Sequence, residues 1–351
     1  MSEVNDTKFF SSKMENFDGA DFANTASTFK DSVLDIKSWF QRMEEIVSVI
    51  VPIVFSFVIA VGVIGNSLIC YVVAINKDMR SLKNFLVTNV AIADLLFLIF
   101  CVPFSIIAYA YPHNWPGGNV ACKLVQLVTY WTALVSIYTL VLISLDRFCA
   151  IIYPLRSINW RTNTKLCLAI ISIWIVILFF CIPTFLSHSE MRTPSGNSYC
   201  DFSENKTIEI FPESWGMRWS VFHFKLLFLI FGFFIPTFTM TGFYAAMYYK
   251  LWKQEPITGT TIERIKKNRQ VVKVFGLVVI VHSMCWIPIH VIMILRALRW
   301  YPNTPISITI QIVSHVLAYS NSCLNPIIYG FLYKPFRRGL RLGVSRVSTR
   351  S

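Results

Sequence analysis

Charge is what this sequence has least of. Of 351 residues only 15% are Asp, Glu, Lys or Arg against 55% hydrophobic, and mean hydropathy is +0.55. Soluble domains carry about 25% charged residues, so a water-solvated globule is excluded and lipid is the remaining solvent. Acid is scarcer than base, 19 residues against 32. No nucleophile stands in a pattern with a base and an orienting group, so enzyme chemistry is not expected. The first 45 residues are polar and lack an apolar signal core, which leaves the first long apolar run to act as an uncleaved anchor.

Apolar runs are abundant. Seven stretches of membrane length lie near 47–75, 85–110, 119–152, 165–186, 219–249, 271–298 and 307–332, and only helices satisfy their own backbone in hydrocarbon. The expected fold is therefore an all-α membrane protein. Residues 1–45 would be an outer tail, 46–332 a seven-helix bundle, and 333–351 a short amphipathic helix, Lys334 to Leu340, with a tail. No internal repeat is evident, which counts against a multi-span transporter, the main alternative from another class. The last run has no Lys between Ser307 and Tyr333, which removes a retinal Schiff base.

The net charge of +13 is distributed by topology. Lys77, Arg80 and Lys83 follow the first run, Arg156, Arg161 and Lys165 the third, Lys250, Lys253, Arg264, Lys266, Lys267 and Arg269 the fifth, and Lys334, Arg337, Arg338 and Arg341 the seventh. The positive-inside rule assigns all of them to the cytosol and the amino terminus to the outside. The lipid bilayer, not nucleic acid, is the partner this charge implies. Of nine cysteines, seven fall within runs or at their cytosolic ends and read as small buried apolar residues. Cys122 and Cys200 fall on the oxidising side and are expected to form one bridge. Asn5 and Asn205 open glycosylation sequons on outer segments.

The third run organises the rest. Cys122 and Arg147 stand about 37 Å apart along a helix axis, bracketing a hydrocarbon core about 30 Å thick. Asp146-Arg147 at its end is either an interfacial anchor or a functional pair. Gln126, Thr129, Tyr130 and Ala133 share a helical face that either lines a cavity or packs on neighbours. In the second run Asp94 falls at mid-membrane depth, where a carboxylate costs about 3 kcal/mol and needs a cation, a proton or a polar nest. Asn66 puts an amide in the first run, as interhelical glue or as part of that nest. Pro236, Pro288 and Pro326 interrupt the last three runs, as hinges or as static packing. His290 reads as a neutral hydrogen-bonding residue, because no second ligand stands at metal spacing on its helix.

These motifs carry a resemblance. Ser144-Leu-Asp-Arg-Phe148 with Tyr153-Pro154, Asn89-Val-Ala-Ile-Ala-Asp94, Cys285-Trp-Ile-Pro288 and Asn325-Pro-Ile-Ile-Tyr329 resemble, in order, the signatures of rhodopsin-like G-protein-coupled receptors. Ser136 to Phe148 and Ser314 to Pro326 look most like the allatostatin-A and galanin receptor branch; another peptide branch, somatostatin-like or opioid-like, or a non-peptide ligand is the alternative. The resemblance implies a plasma-membrane receptor for a neuropeptide, commonly amidated, coupled to inhibitory Gi/o proteins, with arrestin as a further partner. It implies no cofactor beyond an allosteric sodium ion among Asn66, Asp94, Ser136, Asn321 and Asn325. It places ligand contacts at Gln126, Thr129, Tyr130, Trp286, His290, Met293, Arg296 and Tyr319. Activation would run through Asp146, Arg147, Tyr244, Pro288, Asn325, Pro326 and Tyr329.

Departures from the pattern are informative. Phe148 replaces a Tyr, His282 a Phe, and Asn268 an acid that would pair with Arg147, so Asp146 is the expected resting partner of Arg147 and basal activity is expected to be appreciable. Thr129 stands where amine, opioid-type and somatostatin-type receptors carry an Asp. No cysteine after Cys323 offers a palmitoyl anchor.

Overall fold

The computed structural model describes residues 19–76, 82–159, 161–202, 221–253, 259–302, 304–332 and 336–339. Asn5, Asn205, Lys77, Arg80, Lys334 and the tail from Leu340 onward lie outside these. Contacts separate residues 1–49 from 50–351 as two units.

The elements in order are α1 (Gly19–Ile75), α2 (Leu82–Phe100), α3 (Val102–Ala110), α4 (Gly118–Ile152), α5 (Asn163–Ser187), strands β1 (His188–Arg192) and β2 (Ser198–Phe202), α6 (Val221–Leu229), a π-helical turn (Ile230–Phe234), α7 (Ile235–Lys253), α8 (Gly259–Ala297) and α9 (Pro305–Leu332). Residues 336–339 add one helical turn. α1 begins well before the apolar run at 47, so the polar stretch from Gly19 onward is helical too.

Among the described residues six helical spans are long and apolar enough to cross a membrane. The seventh, α9, has the length, 28 residues or about 42 Å, but not the composition. Its polar residues explain why: Ser307, Ser314, Asn321, Ser322 and Asn325 are all buried inside the bundle. An apolar count penalises a helix whose polar atoms never meet lipid.

α4 is the hub. It packs against α2, α5, α7, α8 and both strands, and Leu134, Val135, Ile137, Leu140 and Ile143 on it are buried. Lipid tails are as apolar as these side chains, so association in a bilayer rests on close packing and interhelical hydrogen bonds rather than on water release. Both are visible. A Cβ on Gly65 would come within 2.7 Å of the Pro326 ring, and one on Gly62 within 2.5 Å of Leu98, so α1 approaches α9 and α2 closely because these positions lack side chains. Asn89 of α2 donates to Thr139 of α4 at 2.8 Å and accepts from the Trp174 indole of α5 at 3.0 Å. One amide thus joins three helices.

Proline explains two departures from seven plain helices. The second span breaks at Cys101 into α2 and α3 because Pro103, in the first turn of α3, has no N–H to continue the ladder. In the fifth span the N–H of Ile235 reaches back five residues to Ile230. Pro236 cannot then supply the donor that the Phe231 carbonyl would need, and the Tyr138 hydroxyl from α4 donates to that oxygen at 2.9 Å instead. The fifth span is held to the hub at the place where its own ladder fails.

Candidate functional site

The chain's polar machinery falls into a capped end, a buried middle and an opposite end. At the capped end β1 and β2 form an antiparallel hairpin with Glu190 opposite Cys200, turning at Gly196, whose φ of +86° suits glycine. The expected Cys122–Cys200 disulfide is formed, with Cα atoms 5.6 Å apart. Trp115 and His113 add backbone bonds to Ser198 at 3.0 Å, so the hairpin is tied to the start of α4 and to the segment before it. Beneath lies a cavity of about 140 Å³, lined by Phe104, Tyr111, Trp115, Gln126 and Tyr199 among others.

Gln126 is the one expected ligand contact among those walls. Tyr130 lies deeper, in an aromatic cluster with Phe224, Phe228 and His188. Thr129 turns its hydroxyl onto the Val125 carbonyl at 2.7 Å. His290 stacks on Phe228 with centroids 5.5 Å apart, and its Nε2 is buried without a partner. Met293 packs on the main core, Arg296 covers the Tyr301 ring, and Tyr319 shares a 3.0 Å hydrogen bond with Ser105 while stacking on Phe55. His188, at the hairpin's foot and outside the spans, is held neutral: burial pushes its pKa down to about 4, against weaker opposing effects of the Thr184 carbonyl and Asp201.

In the middle Asp94 is 3% exposed. Its carboxylate accepts from Ser322 at 3.0 Å, Asn325 at 3.0 Å and Ser136 at 3.5 Å. The nest that the sequence demanded is thus assembled from three helices. A cavity of about 10 Å³, room for about one water or bare ion, adjoins it, lined by Asp94, Thr132, Ser136, His282, Trp286, Asn321 and Ser322. A hard cation takes oxygen donors, and Asp94, Ser136, Asn321 and Ser322 supply them, so these residues fit sodium. Asn66 and Asn325 stand differently. The Asn66 amide donates to the Gly62 and Ser322 carbonyls, both at 2.9 Å, with its Oδ1 buried and unpartnered, and Asn325 spends its amide on Asp94. Ser322 was missed from sequence, although it directly follows Asn321. Trp286 turns out to wall this chamber. His282, the departure from the family pattern, walls it too, with its Nδ1 buried and without a partner among the described residues.

At the opposite end Arg147 is 6% exposed. Its guanidinium pairs with Asp146, whose other oxygen accepts from Arg161 at 2.6 Å. One carboxylate holds two arginines. Ser144 and Tyr244 put their hydroxyls 3.3 Å apart between α4 and α7, and Tyr329 is buried against Phe275. Arg161, on the segment after α4, was read from sequence only as a topological charge. Pro288 and Pro326 lie inside α8 and α9. Of the seven cysteines read as buried, Cys167 is exposed and Cys70 and Cys149 are half-buried, Cys70 packing against the main core.

Comparison with known proteins agrees with this architecture. The family model for the 7 transmembrane receptor (rhodopsin family) matches residues 65–329. The chain is 42% identical over 301 residues to the allatostatin-A receptor of Bombyx mori, covering 86% of this chain and 81% of that one. It is 33% identical over 306 residues to galanin receptor 2a of Danio rerio, covering 86% and 80%, and 32% identical over 292 residues to galanin receptor type 1 of Mus musculus, covering 82% and 80%. With the central hub helix, the buried carboxylate and the caged arginine already in place, the chain belongs to the rhodopsin family of seven-transmembrane receptors.

Proposed function

We propose that this receptor is opened by an allatostatin-A-like or galanin-like neuropeptide arriving at the hairpin end and signals through inhibitory Gi/o proteins at the Asp146–Arg147 end. The names of its relatives supply the ligand class. The observation that carries the mechanism is the single carboxylate of Asp146 closing on two arginines, Arg147 and Arg161. A pair held by one group is released by one event.

The amino terminus lies outside and the basic loops inside, as their charge implies. Peptide settles under the hairpin against Gln126 and reaches Thr129, Tyr130, His290, Met293, Arg296 and Tyr319. Its binding energy favours an arrangement in which α8 bends at Pro288 and Arg147 leaves Asp146. Tyr244 and Tyr329 then line the opened cavity, where a helix of the G protein docks; arrestin would use the same opening. A peptide that moves this equilibrium from 1:99 to 99:1 must prefer the open form by about 5.5 kcal/mol. Sodium, held by Asp94, Ser136, Asn321 and Ser322, would stabilise the closed form by neutralising the buried carboxylate.

The test is nucleotide exchange on Gi/o in membranes expressing the chain, challenged with a panel of amidated allatostatin-A-type and galanin-type peptides. The expected result is saturable exchange with one class, lost in Arg147→Ala while peptide binding persists. Silence across the panel, or full exchange by Arg147→Ala, would overturn the reading.

A further inference from the structure

The buried chamber beside Asp94 has two walls with opposite requirements. α2, α4 and α9 contribute oxygen: the Asp94 carboxylate, the Ser136 and Ser322 hydroxyls and the Asn321 amide. α8 contributes nitrogen. His282 and Trp286 stand about one turn apart on that helix, with ring centroids 5.9 Å apart, and both line the cavity. His282 is 3% exposed, and its Nδ1 and the Trp286 Nε1 are buried without a partner among the described residues. A buried polar nitrogen left bare forfeits its bond to water, so these two require something to bond to.

Their chemistry says what kind of atom that is. An indole N–H only donates, and a bare cation set against it would meet a positive hydrogen. The α8 wall therefore calls for an oxygen atom, while a carboxylate at membrane depth calls for positive charge. A cation carrying a water satisfies both walls. The water's oxygen accepts from Trp286 and binds the ion with its other lone pair, and one of its hydrogens goes to His282 Nδ1 in the tautomer that leaves that nitrogen as an acceptor. Space is divided in the same way. The cavity of about 10 Å³ suits one water. Beside it the Ser136 hydroxyl and Asp94 Oδ1 lie 3.5 Å apart. That is long for a bond between two oxygens, usually about 2.5 to 3.0 Å, but suits two oxygens that each stand about 2.4 Å from one hard cation.

We infer that His282 is a water-holding residue of the ion chamber: with Trp286 it seats a water from the cation's own shell and so ties α8 to an ion held by α2 and α4. The inference deepens the proposed reading and rests on it for the identity of the cation as sodium. It gives the ion a grip on the helix that bends at Pro288. While the water is seated, α8 is joined to two other helices through one ion; when α8 swings, the water loses its two nitrogen partners and the ion loses a ligand.

The test is the melting temperature of the purified full-length receptor, without peptide or G protein, titrated with sodium chloride against choline chloride at constant ionic strength and pH. Wild type should gain several degrees as sodium saturates, and Asp94→Asn, which removes the counter-charge, should gain none. His282→Phe keeps a ring of similar size without its nitrogens; its half-saturating sodium concentration should rise about tenfold, the loss of one hydrogen bond. His282→Gln, which carries both an acceptor and a donor, should recover most of that loss, and His188→Gln in the cap should titrate as wild type does. Each variant's own melting transition reports that it is folded, and His282→Leu takes the place of His282→Phe in the same comparison if the latter does not fold. Equal half-points in wild type and His282→Phe would overturn the role of His282 and leave the sodium site standing. Equal losses in His282→Phe and His282→Gln would overturn it in favour of packing alone. A wild type indifferent to sodium would overturn the ion and its water together, while the peptide class stands or falls on nucleotide exchange.

Discussion

The two ends of the bundle are fastened by different chemistry. At the hairpin end a disulfide, a strand pair and backbone bonds from His113 and Trp115 tie the cap to α4. At the other end α4 is linked to its surroundings through side chains, Asp146 with Arg161, Ser144 with Tyr244 and the Lys250 ammonium with the Ile152 carbonyl, while Asp146 also pairs with Arg147 within α4. Covalent and backbone ties persist through thermal motion, whereas an ion pair is exchanged for another partner at modest cost. On the proposed reading, recognition belongs to the stiff end and rearrangement to the loose one.

The strongest way to break that contrast is to remove the covalent tie. Cys200→Ser opens a loop with a sequence separation of 78, worth about 4 kcal/mol on the chain-entropy view; surface expression and peptide binding should collapse together, as measured by antibody labelling and radioligand saturation. Next in size is Asp146→Asn, which leaves two arginines without their shared carboxylate at a cost of about 3 kcal/mol to the closed form. Ligand-independent nucleotide exchange should rise several-fold while peptide affinity holds or increases, and unchanged basal exchange would show that the pair does not restrain the loose end.

Between the ends, Gly65→Ala would press a methyl into Pro326, and overpacking of this kind costs about 1 to 3 kcal/mol. The melting temperature of the purified receptor should fall by several degrees without a change in basal exchange, because the middle connects the two ends rather than choosing between their states. The smallest effect concerns the cap and pH. His188 has its pKa pushed from 6.5 down to about 4 in the folded cap, so an opened cap binds more protons between those values. Stability is full above about pH 6.5 and declines as pH falls toward 4. Peptide affinity should weaken over that window in wild type and stay flatter in His188→Gln.

Much of this was legible in sequence because membrane folds are written in long runs and fixed motifs. The spans and the Cys122–Cys200 bridge followed from length and topology, and the need for a polar nest at Asp94 from depth. The members of that nest and the partnership of Arg147 with Asp146 came with the resemblance to the receptor family. What did not follow depends on which way a side chain faces. Asn66 shares the nest's sequence context yet turns to backbone carbonyls, while Ser322, one residue from Asn321, turns inward. Trp286 walls the buried chamber, a matter of helix rotation that spacing along α8 alone does not fix. The break at Cys101 and the wide turn at Ile230 were hidden because Pro103 and Pro236 announce a disturbed ladder without saying whether the chain bends, breaks or widens.

The wide turn at Ile230–Phe234 also sets the phase of the fifth span. Phe224 and Phe228 above it, Gly232 within it and Pro236, Met240, Met247 and Leu251 below it are all buried, although an unbroken 3.6-residue helix drifts by about 40° for every four residues. The surplus residue absorbs that drift. Deleting one residue there would give an unbroken helix that still faces Phe228 toward Tyr130 and His290, whereas forcing the turn into regular helix with its residue kept would rotate the upper half by about 100°.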